Sequence, residues 1–435
     1  KTGRNYLFCV YVDYIRRATN YHEKSRYQGM KLLILTQYYP PEIGAPQNRL
    51  HELAVRLKAN GINVEVLTAM PNYPKMEIFE TYRTGQIKEE QIDGIRVFRS
   101  GIYVSQSKSI LPRLLNYFSF VWTSYWRGRK LGKYDFLMVE SPPLFLGYSA
   151  MALSRKLNAK LIFNVSDLWP ESAEKLGIVT NKMLLGLAYR LERKCYERSA
   201  LITGQTMGIV KDISSRFPHK KVYWLPNGVD VQFYDPSNYE KHGFRSKNGF
   251  SDQDVLFFYG GILGHAQGLH TVLHAAKLVE INPSVQIILQ GAGPEKEVLL
   301  KLKKELKVVN VHFLPPVPKQ EMPNILKEVD VALVPLRKLE LFLGAIPSKI
   351  FEALAMEKAL LLGVGGEAKA HFIDKANAGC YYEPENSEDL SIKMLDLAAN
   401  PEQIRQKGSN GRRYVTEHFN RNKIAADFIE TLQNS

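Results

Sequence analysis

Short apolar runs without alternation, separated by stretches of helical periodicity, recur along the chain in two blocks. The first begins at residues 31–36, where Leu32, Leu33, Ile34 and Leu35 stand in a row and predict a strand covered on both faces. A Pro/Gly loop over 37–46 leads into a predicted helix over 47–60, with Leu50, Leu53, Ala54 and Leu57 on one stripe and Gly61 to end it. A strand over 63–68 completes a βαβ unit. Further strands are predicted over 95–100, 136–140, 160–165, 200–203 and 221–225, with helices over 111–130, 146–157 and 182–199. From Pro226-Asn227-Gly228-Val229-Asp230 to about residue 252 the chain turns polar and reads as an interdomain linker with surface loops.

The second block repeats the alternation. Strands are predicted over 255–259, 285–290, 311–313, 331–334 and 360–364, and helices over 269–280, 295–306, 319–328 and 347–356. Both blocks therefore predict an α/β chain of two doubly wound domains, in which ligands gather at the carboxyl ends of the strands. In the first block that end is the Gly44 loop. In the second it holds two glycine turns, Gly260-Gly261 and Gly291-Ala292-Gly293, whose backbone N–H groups are expected to face a diphosphate. A dinucleotide fingerprint is not met, because the third glycine is missing at its spacing.

The stretch Ile346-Pro347-Ser348-Lys349-Ile350-Phe351-Glu352 carries the sharpest candidate chemistry. A helix start offers unpaired N–H groups to an anion, Lys349 adds a cation, and Glu352 lies one turn on along roughly the same face. The pair reads as a nucleotide grip, Lys349 on phosphate and Glu352 on ribose. The alternative is an amphipathic helix with two solvated charges.

Charge changes the picture of the first block. The net +14 falls entirely within residues 1–235, while 236–435 are balanced. No acidic residue occurs from Gly94 through Tyr134, a stretch that includes Arg96, Arg99, Lys108, Arg113, Arg127, Arg129, Lys130 and Lys133. The helix predicted over 111–130 adds Tyr117, Phe118, Phe120, Trp122, Tyr125 and Trp126. Its apolar stretch, interrupted at Arg113 and Asn116, is too short to span a bilayer. Aromatics beside Lys and Arg instead describe a helix lying on an anionic membrane surface, with Arg113, Tyr117, Trp122, Trp126, Arg127, Arg129 and Lys130 in contact. An aromatic core helix with a solvated basic end is the alternative. Single-stranded nucleic acid also suits basic stretches with aromatics, but a neutral second block with glycine turns does not fit a scaffold, so nucleic acid is not expected as a partner. Cys9, Cys195 and Cys380 are isolated, and the His residues form no ligand spacing; neither a disulfide frame nor a metal site is expected. Residues 1–29 precede the natural-looking start at Met30 and read as a non-native or poorly ordered extension.

Across about residues 30–432 these motifs, in this order, resemble the GT-B retaining glycosyltransferases of family 4. The similarity rests on the Gly44 loop, Asn-Gly-Val-Asp at 227–230, Gly-Ala-Gly-Pro at 291–294 and Phe-Glu-Ala-Leu-Ala at 351–355. Asp167-Leu168-Trp169-Pro170-Glu171-Ser172, Ala266-Gln267-Gly268 and Pro347-Ser348-Lys349 are similar to bacterial O-antigen and capsule N-acetyl-fucosamine transferases. The resemblance implies two Rossmann-like domains facing across a cleft: residues 30–232 for acceptor and membrane, and 233–411 for the nucleotide-sugar. It also implies that a C-terminal helix within 412–435 packs back on the first domain. Three positions depart from the family. The first of its two Glu falls on Gly344, its loop Arg and Lys look like Ile262 and Gln267, and its active-site His is Ser166.

The reaction implied is transfer of a sugar, with retention, from a UDP-sugar to a polyprenyl-diphosphate-linked saccharide by a cytoplasmic enzyme peripheral on the inner face of the cell membrane. No metal or other cofactor is expected to be required. Gly44, Gly260, Gly261, Gln267, Gly291, Arg337, Lys349 and Glu352 are the expected donor positions. Asp167, with Glu171 nearby, is expected to orient the acceptor hydroxyl or support the oxocarbenium-like charge, although a structural Asp before a Trp-Pro turn is the alternative. His51 and His265 read as surface and loop histidines. Two other functions stay open at this point: a UDP-sugar 2-epimerase on the same fold, and a non-enzymatic membrane- or nucleic-acid-binding protein.

Overall fold

The computed structural model describes residues 29–42, 44–107, 109–175, 177 and 179–435, so the extension expected over 1–29 lies, save Gly29, outside the described residues. Two compact units emerge: one runs up to Pro226 and takes in Asn422–Ser435, and the other is Asn227–Arg421.

The first unit is an eight-stranded sheet. Its strands are β1 (Lys31–Leu35), β2 (Asn63–Ala69), β3 (Glu89–Ile92), β4 (Ile95–Ser100), β5 (Phe136–Ser141), β6 (Lys160–Val165), β7 (Leu201–Gly204) and β8 (Val222–Trp224), in the order β3-β4-β2-β1-β5-β6-β7-β8. All pairs are parallel except β3 with β4. Side-chain alternation sends Leu33, Leu35, Leu137, Val139 and Phe163 to one face and Leu32, Ile34, Val64, Val66 and Met138 to the other. Helices Ile110–Gly128, Leu146–Lys156 and Lys182–Arg198 cover the first face; Ala45–Ala59 covers the second. The last helix, Arg421–Gln433, buries Ala425, Phe428, Ile429 and Leu432 on that second face beside Leu57. Two buried faces explain why the strands read as unbroken apolar runs.

The second unit has six parallel strands: β9 (Val255–Gly260), β10 (Val285–Gln290), β11 (Val311–Leu314), β12 (Val331–Pro335), β13 (Ala359–Gly363) and β14 (Gly379–Tyr381). Their order is β11-β10-β9-β12-β13-β14. Helices His270–Val279, Lys296–Leu306 and Ser387–Ala399 bury Val272, Leu299 and Leu390 in the core on one face. Helix Pro401–His418 packs against Ser348–Ala355 so closely that a Cβ on Gly411 would lie 2.4 Å from Leu354.

Residues 227–252, expected as a linker, are instead built into the second unit. Val229 N donates to Phe419 O and Arg421 N to Val229 O, so the segment pairs with the end of that unit. Glu328 accepts from the N–H groups of His242, Phe244 and Arg245, and buried Arg245 reaches Ser251 O, Asp254 O and Asp330. These bonds put the boundaries at 226/227 and 421/422, where the sequence had suggested 232/233 and 411/412. The helix expected over 319–328 is a 3-10 turn, Lys319–Glu321, followed by an α-helix, Met322–Glu328, which starts where Pro323 can take a first-turn position.

Candidate active site

At the carboxyl end of β9 the chain turns through Gly260 and Gly261, and the turn after β10 lies on top of it. Gly291 adopts φ +153°, and a Cβ there would sit 1.8 Å from the carbonyl oxygen of Gly261. Gly293 is held the same way, 2.3 Å from the carbonyl of Leu263. The two turns are stitched together: Gly261 N donates to Gln290 O, Leu263 N to Ala292 O and Gly291 N to Leu314 O, at 2.9–3.0 Å. The expectation that Gly261 and Gly291 present their N–H groups to a diphosphate is therefore corrected. Those donors are spent on neighbouring carbonyls, and the glycines serve the close approach of the turns.

Lys349 reaches into this place. It is the second residue of the Ser348–Ala355 helix, which opens after Pro347 without a side-chain cap. Its ammonium lies 3.6 Å from the centroid of the Tyr259 ring and 3.0 Å from where a Cβ on Gly261 would stand. Gly261, at φ +145°, leaves the room that the lysine occupies. Burial pushes the Lys349 ammonium down to about 7, with the Glu352 carboxylate acting the other way. Tyr259 is fixed beneath it, donating its hydroxyl to Ile262 O at 2.5 Å. A cavity of ≈ 30 Å³ between Lys349, Glu352, Gly260, Phe258 and Met322 has room for water but none for a nucleotide.

Arg337 follows β12, where its N–H holds Ala266 O (2.9 Å) and its side chain covers Gly268, beside Gln267. Its Nε is 3.4 Å from Glu385 Oε1, so this cation is already opposed by a carboxylate. The Lys338 N–H and Arg337 hold Glu385 below the usual carboxylate range.

In the first unit the carboxyl end of the sheet is a buried polar network. Arg49 Nη2 donates to Glu140 and Ser166 at 2.6 Å each; Ser166 and Asn164 donate to Glu140, and Thr203 to Asn164. Arg49→Ala leaves Glu140 buried without its cation and is expected to cost roughly 3 kcal/mol in urea unfolding; a loss under about 1 kcal/mol would contradict the network's role. The Gly44 loop is braced by Glu42, whose buried carboxylate accepts the N–H groups of Tyr39, Asn72 and Tyr73. Burial raises Glu42 above its ordinary range, against the pull of those N–H groups. Gly44 itself is extended, with the Gln47 amide folded where a side chain would project. Asp167 Oδ1 accepts the Ser172 hydroxyl at 2.6 Å, and Glu171 is paired with Lys175 at 2.7 Å on the short helix Glu171–Lys175. His51 is not a surface residue: it bridges Tyr39 and Asp93. His265 is exposed and faces Glu295.

Comparison with known proteins decides the family. Residues 44–228 match the family described as "Glycosyl transferase 4-like domain", and residues 240–414 match "Glycosyl transferases group 1". The chain is a glycosyltransferase, with a half that matches each of these two families. Among curated proteins it is similar to "Putative colanic acid biosynthesis glycosyl transferase WcaI" of Escherichia coli (strain K12). That match is 26% identical over 415 residues, 93% of this chain and 100% of the relative. Among solved structures it resembles sucrose-phosphate synthase from Thermosynechococcus elongatus, with TM-score 0.71 and 15% identity over 93% of this chain and 98% of that one. It also resembles Anabaena HepE in complex with UDP-glucose, with TM-score 0.68 and 15% identity over 93% and 100%. These structural likenesses establish the two-domain GT-B fold.

Within this glycosyltransferase the structure brings Gly260, Gly261, Gly291, Lys349 and Glu352 together, and sets Arg337 beside Gln267 on the adjoining turn. Sequence reasoning missed Tyr259, Glu385, Glu42 and the Arg49–Glu140 pair. Tyr259 had one signal, an aromatic directly before Gly-Gly. In the helix Ile110–Gly128 the exposed stripe is Leu111 (68%), Leu115, Phe118, Trp122 (66%) and Trp126, spaced along one face. Arg129 stacks over Trp126 at 4.1 Å. Arg113 and Lys130 are also exposed, whereas Tyr117 turns partly inward toward Phe145, and Arg127 toward Glu89. Asn116 interrupts the apolar pattern because it is buried, hydrogen-bonded to Gln37 and Tyr103 O. Among the described residues no helix is long and apolar enough to cross a membrane.

Proposed function

We propose that this glycosyltransferase transfers a sugar, with retained configuration, from a UDP-sugar to a lipid-linked saccharide during assembly of a bacterial surface polysaccharide. The donor reading rests on one observation above all: the Lys349 ammonium, held on the Tyr259 ring beneath the Gly260-Gly261 turn, with Glu352 one helical turn on. A diphosphate over that turn meets a cation and a helix start, which stabilise the charge that develops as the C1–O bond to phosphate breaks. Glu352 is the acceptor for ribose hydroxyls, with Gln267 and Arg337 flanking. The acceptor oxygen bonds to C1 on the face that the diphosphate leaves, and its proton passes to the departing diphosphate. Asp167 orients that hydroxyl, and no step calls on a metal. HepE in its UDP-glucose complex supports the class of donor. The name of WcaI supports a surface polysaccharide as the destination, and an N-acetylhexosamine such as N-acetyl-fucosamine is the sugar that the resemblance to the O-antigen and capsule transferases suggests. The test is a panel of UDP-sugars with and without a polyprenyl-diphosphate-linked saccharide. Product is expected only with acceptor present, with the donor's anomeric configuration; a new UDP-sugar formed without acceptor would support epimerisation instead.

The lipid-linked acceptor implies a surface on which to meet it. The exposed stripe of the Ile110–Gly128 helix, flanked by Arg113, Arg129 and Lys130, supports docking on the inner face of the cell membrane. A buried Trp covers ~150–250 Å² at ~25 cal/mol per Å², so insertion of about half of it is worth ~2 kcal/mol. Trp122→Ala and Trp126→Ala are each expected to lower partitioning onto anionic vesicles by more than about tenfold in flotation, since ~1.4 kcal/mol is tenfold. Unchanged flotation in the double variant would contradict docking through this face.

A further inference from the structure

We propose that the foot of the Ile110–Gly128 helix carries a pocket for the phosphate of an anionic glycerophospholipid, so that docking includes recognition of one headgroup; this rests on the membrane reading above. A cavity of ≈ 310 Å³ opens there, lined by Arg96, Arg127 and Lys130 together with Phe98, Glu65 and Glu89. Its size suits a small ligand.

The charges in it are unevenly committed. Arg96 is bonded to both carboxylates, Glu89 and Glu65, and Glu65 also accepts the Tyr134 hydroxyl. Among the described residues Arg127 has only a long bond to Lys88 O (3.3 Å) and stands 3.8 Å from Glu89, while its buried Nε–H finds no acceptor there. A buried donor on a guanidinium is rarely left unmade unless a ligand or water completes it. The exposed Lys130 ammonium has no hydrogen bond or ion pair among the described residues. Both guanidinium groups lie near the Phe98 ring, at 4.9 and 5.7 Å, which gives the pocket an apolar floor. Arg127 and Lys130 are thus set for a phosphate, while the neighbouring carboxylates are acceptors for hydroxyls. A phosphate that carries hydroxyls, as in phosphatidylglycerol, meets both.

Position separates this pocket from the reaction. Asn116, on the same helix, binds Gln37 just past the carboxyl end of β1. Arg127 is about 16 Å further along the axis at ~1.5 Å per residue. The pocket therefore does not hold the diphosphate of an acceptor reacting at the strand ends. Trp126, with Arg129 stacked on it, lies at this end of the same helix, next in sequence to Arg127 of the pocket.

The test is calorimetric titration of the full chain with monomeric dihexanoyl phosphatidylglycerol, below its micelle concentration, alongside flotation on phosphatidylglycerol vesicles. Saturable binding is expected, weakened at least tenfold in Lys130→Ala and in Arg127→Gln. It should change less than twofold in Arg113→Ala, which removes an exposed cation from the other end of the helix. Lys130→Ala touches no partner, so an unchanged melting temperature accompanies its loss of binding. No saturable binding, or equal losses in Arg113→Ala and Lys130→Ala, would overturn the pocket. Glycerol phosphate or inorganic phosphate binding as tightly as the lipid would overturn its assignment to a lipid. Vesicle flotation without saturable binding sinks the pocket and keeps the docking reading. Saturable binding without flotation keeps the pocket and sinks docking.

Discussion

Lys349→Ala is expected to weaken UDP-sugar binding by ~100-fold, the ~3 kcal/mol at the upper end for a hydrogen bond to a charged group, while leaving the fold intact. Among the described residues no carboxylate is bonded to the ammonium; it rests on an aromatic ring in a place where burial disfavours its charge. Removing it relieves a desolvated cation, so the melting temperature should stay within about 4 °C of the parent or rise. The same lysine makes binding depend on pH with a definite sign. Its free-state value is pushed down to about 7, and the diphosphate of a UDP-sugar favours the charged form. Binding is therefore tight and level below pH 7. Above it the dissociation constant rises about tenfold per pH unit, until the ligand-bound lysine itself titrates. A UDP-sugar has no group of its own titrating there, and Lys349→Ala should flatten the profile. Equal affinity in parent and variant, or a level parent profile between pH 7 and 8.5, would contradict the grip.

Gly291→Ala is expected to destabilise the second unit by more than about 4 kcal/mol, enough to lose its cooperative unfolding transition at ordinary temperature. Two costs coincide. The φ of +153° is closed to an alanine, and the Cβ would lie 1.8 Å from the carbonyl oxygen of Gly261, a backbone atom that cannot swing aside. Gly264→Ala is the control. There the Cβ meets the end of the flexible Gln267 side chain at 3.1 Å and the exposed Ile262 Cγ2 at 3.4 Å, and the cost should stay below about 1 kcal/mol. If Gly291 served only to admit a phosphate, Gly291→Ala would lose nucleotide while keeping full stability in denaturant. That outcome would overturn the packing account of the turns.

What could be read in advance follows from where information lies in a doubly wound chain. Strands buried on both faces announce themselves as apolar runs, and nearly all of them fall where predicted. β3, Glu-Glu-Gln-Ile at an antiparallel edge, has no run to show. Helix Pro401–His418 carries Gly408 and Gly411 in its interior, poor helix formers by propensity. They are there because Glu357 O and Leu354 press on those positions, at 2.1 and 2.4 Å from any added Cβ, and a partner some fifty residues away leaves no local trace. The site divides in the same way. Lys349 and Glu352 share one short helix, so their spacing was legible. Tyr259 beneath the lysine, and Glu385 opposite Arg337, come from other strands and loops and were not. The glycine turns were located correctly but misread, because a sequence shows that a backbone is uncovered and not which carbonyl covers it.

The most direct measurement is a crystal structure of the full chain with UDP bound. The account predicts the diphosphate over the Gly260-Gly261 turn, with the Lys349 ammonium lifted from the Tyr259 ring to within hydrogen-bond distance of a phosphate oxygen, and the ribose hydroxyls on Glu352. UDP seated elsewhere, with Lys349 still on the Tyr259 ring and no phosphate beside it, would contradict the central claim.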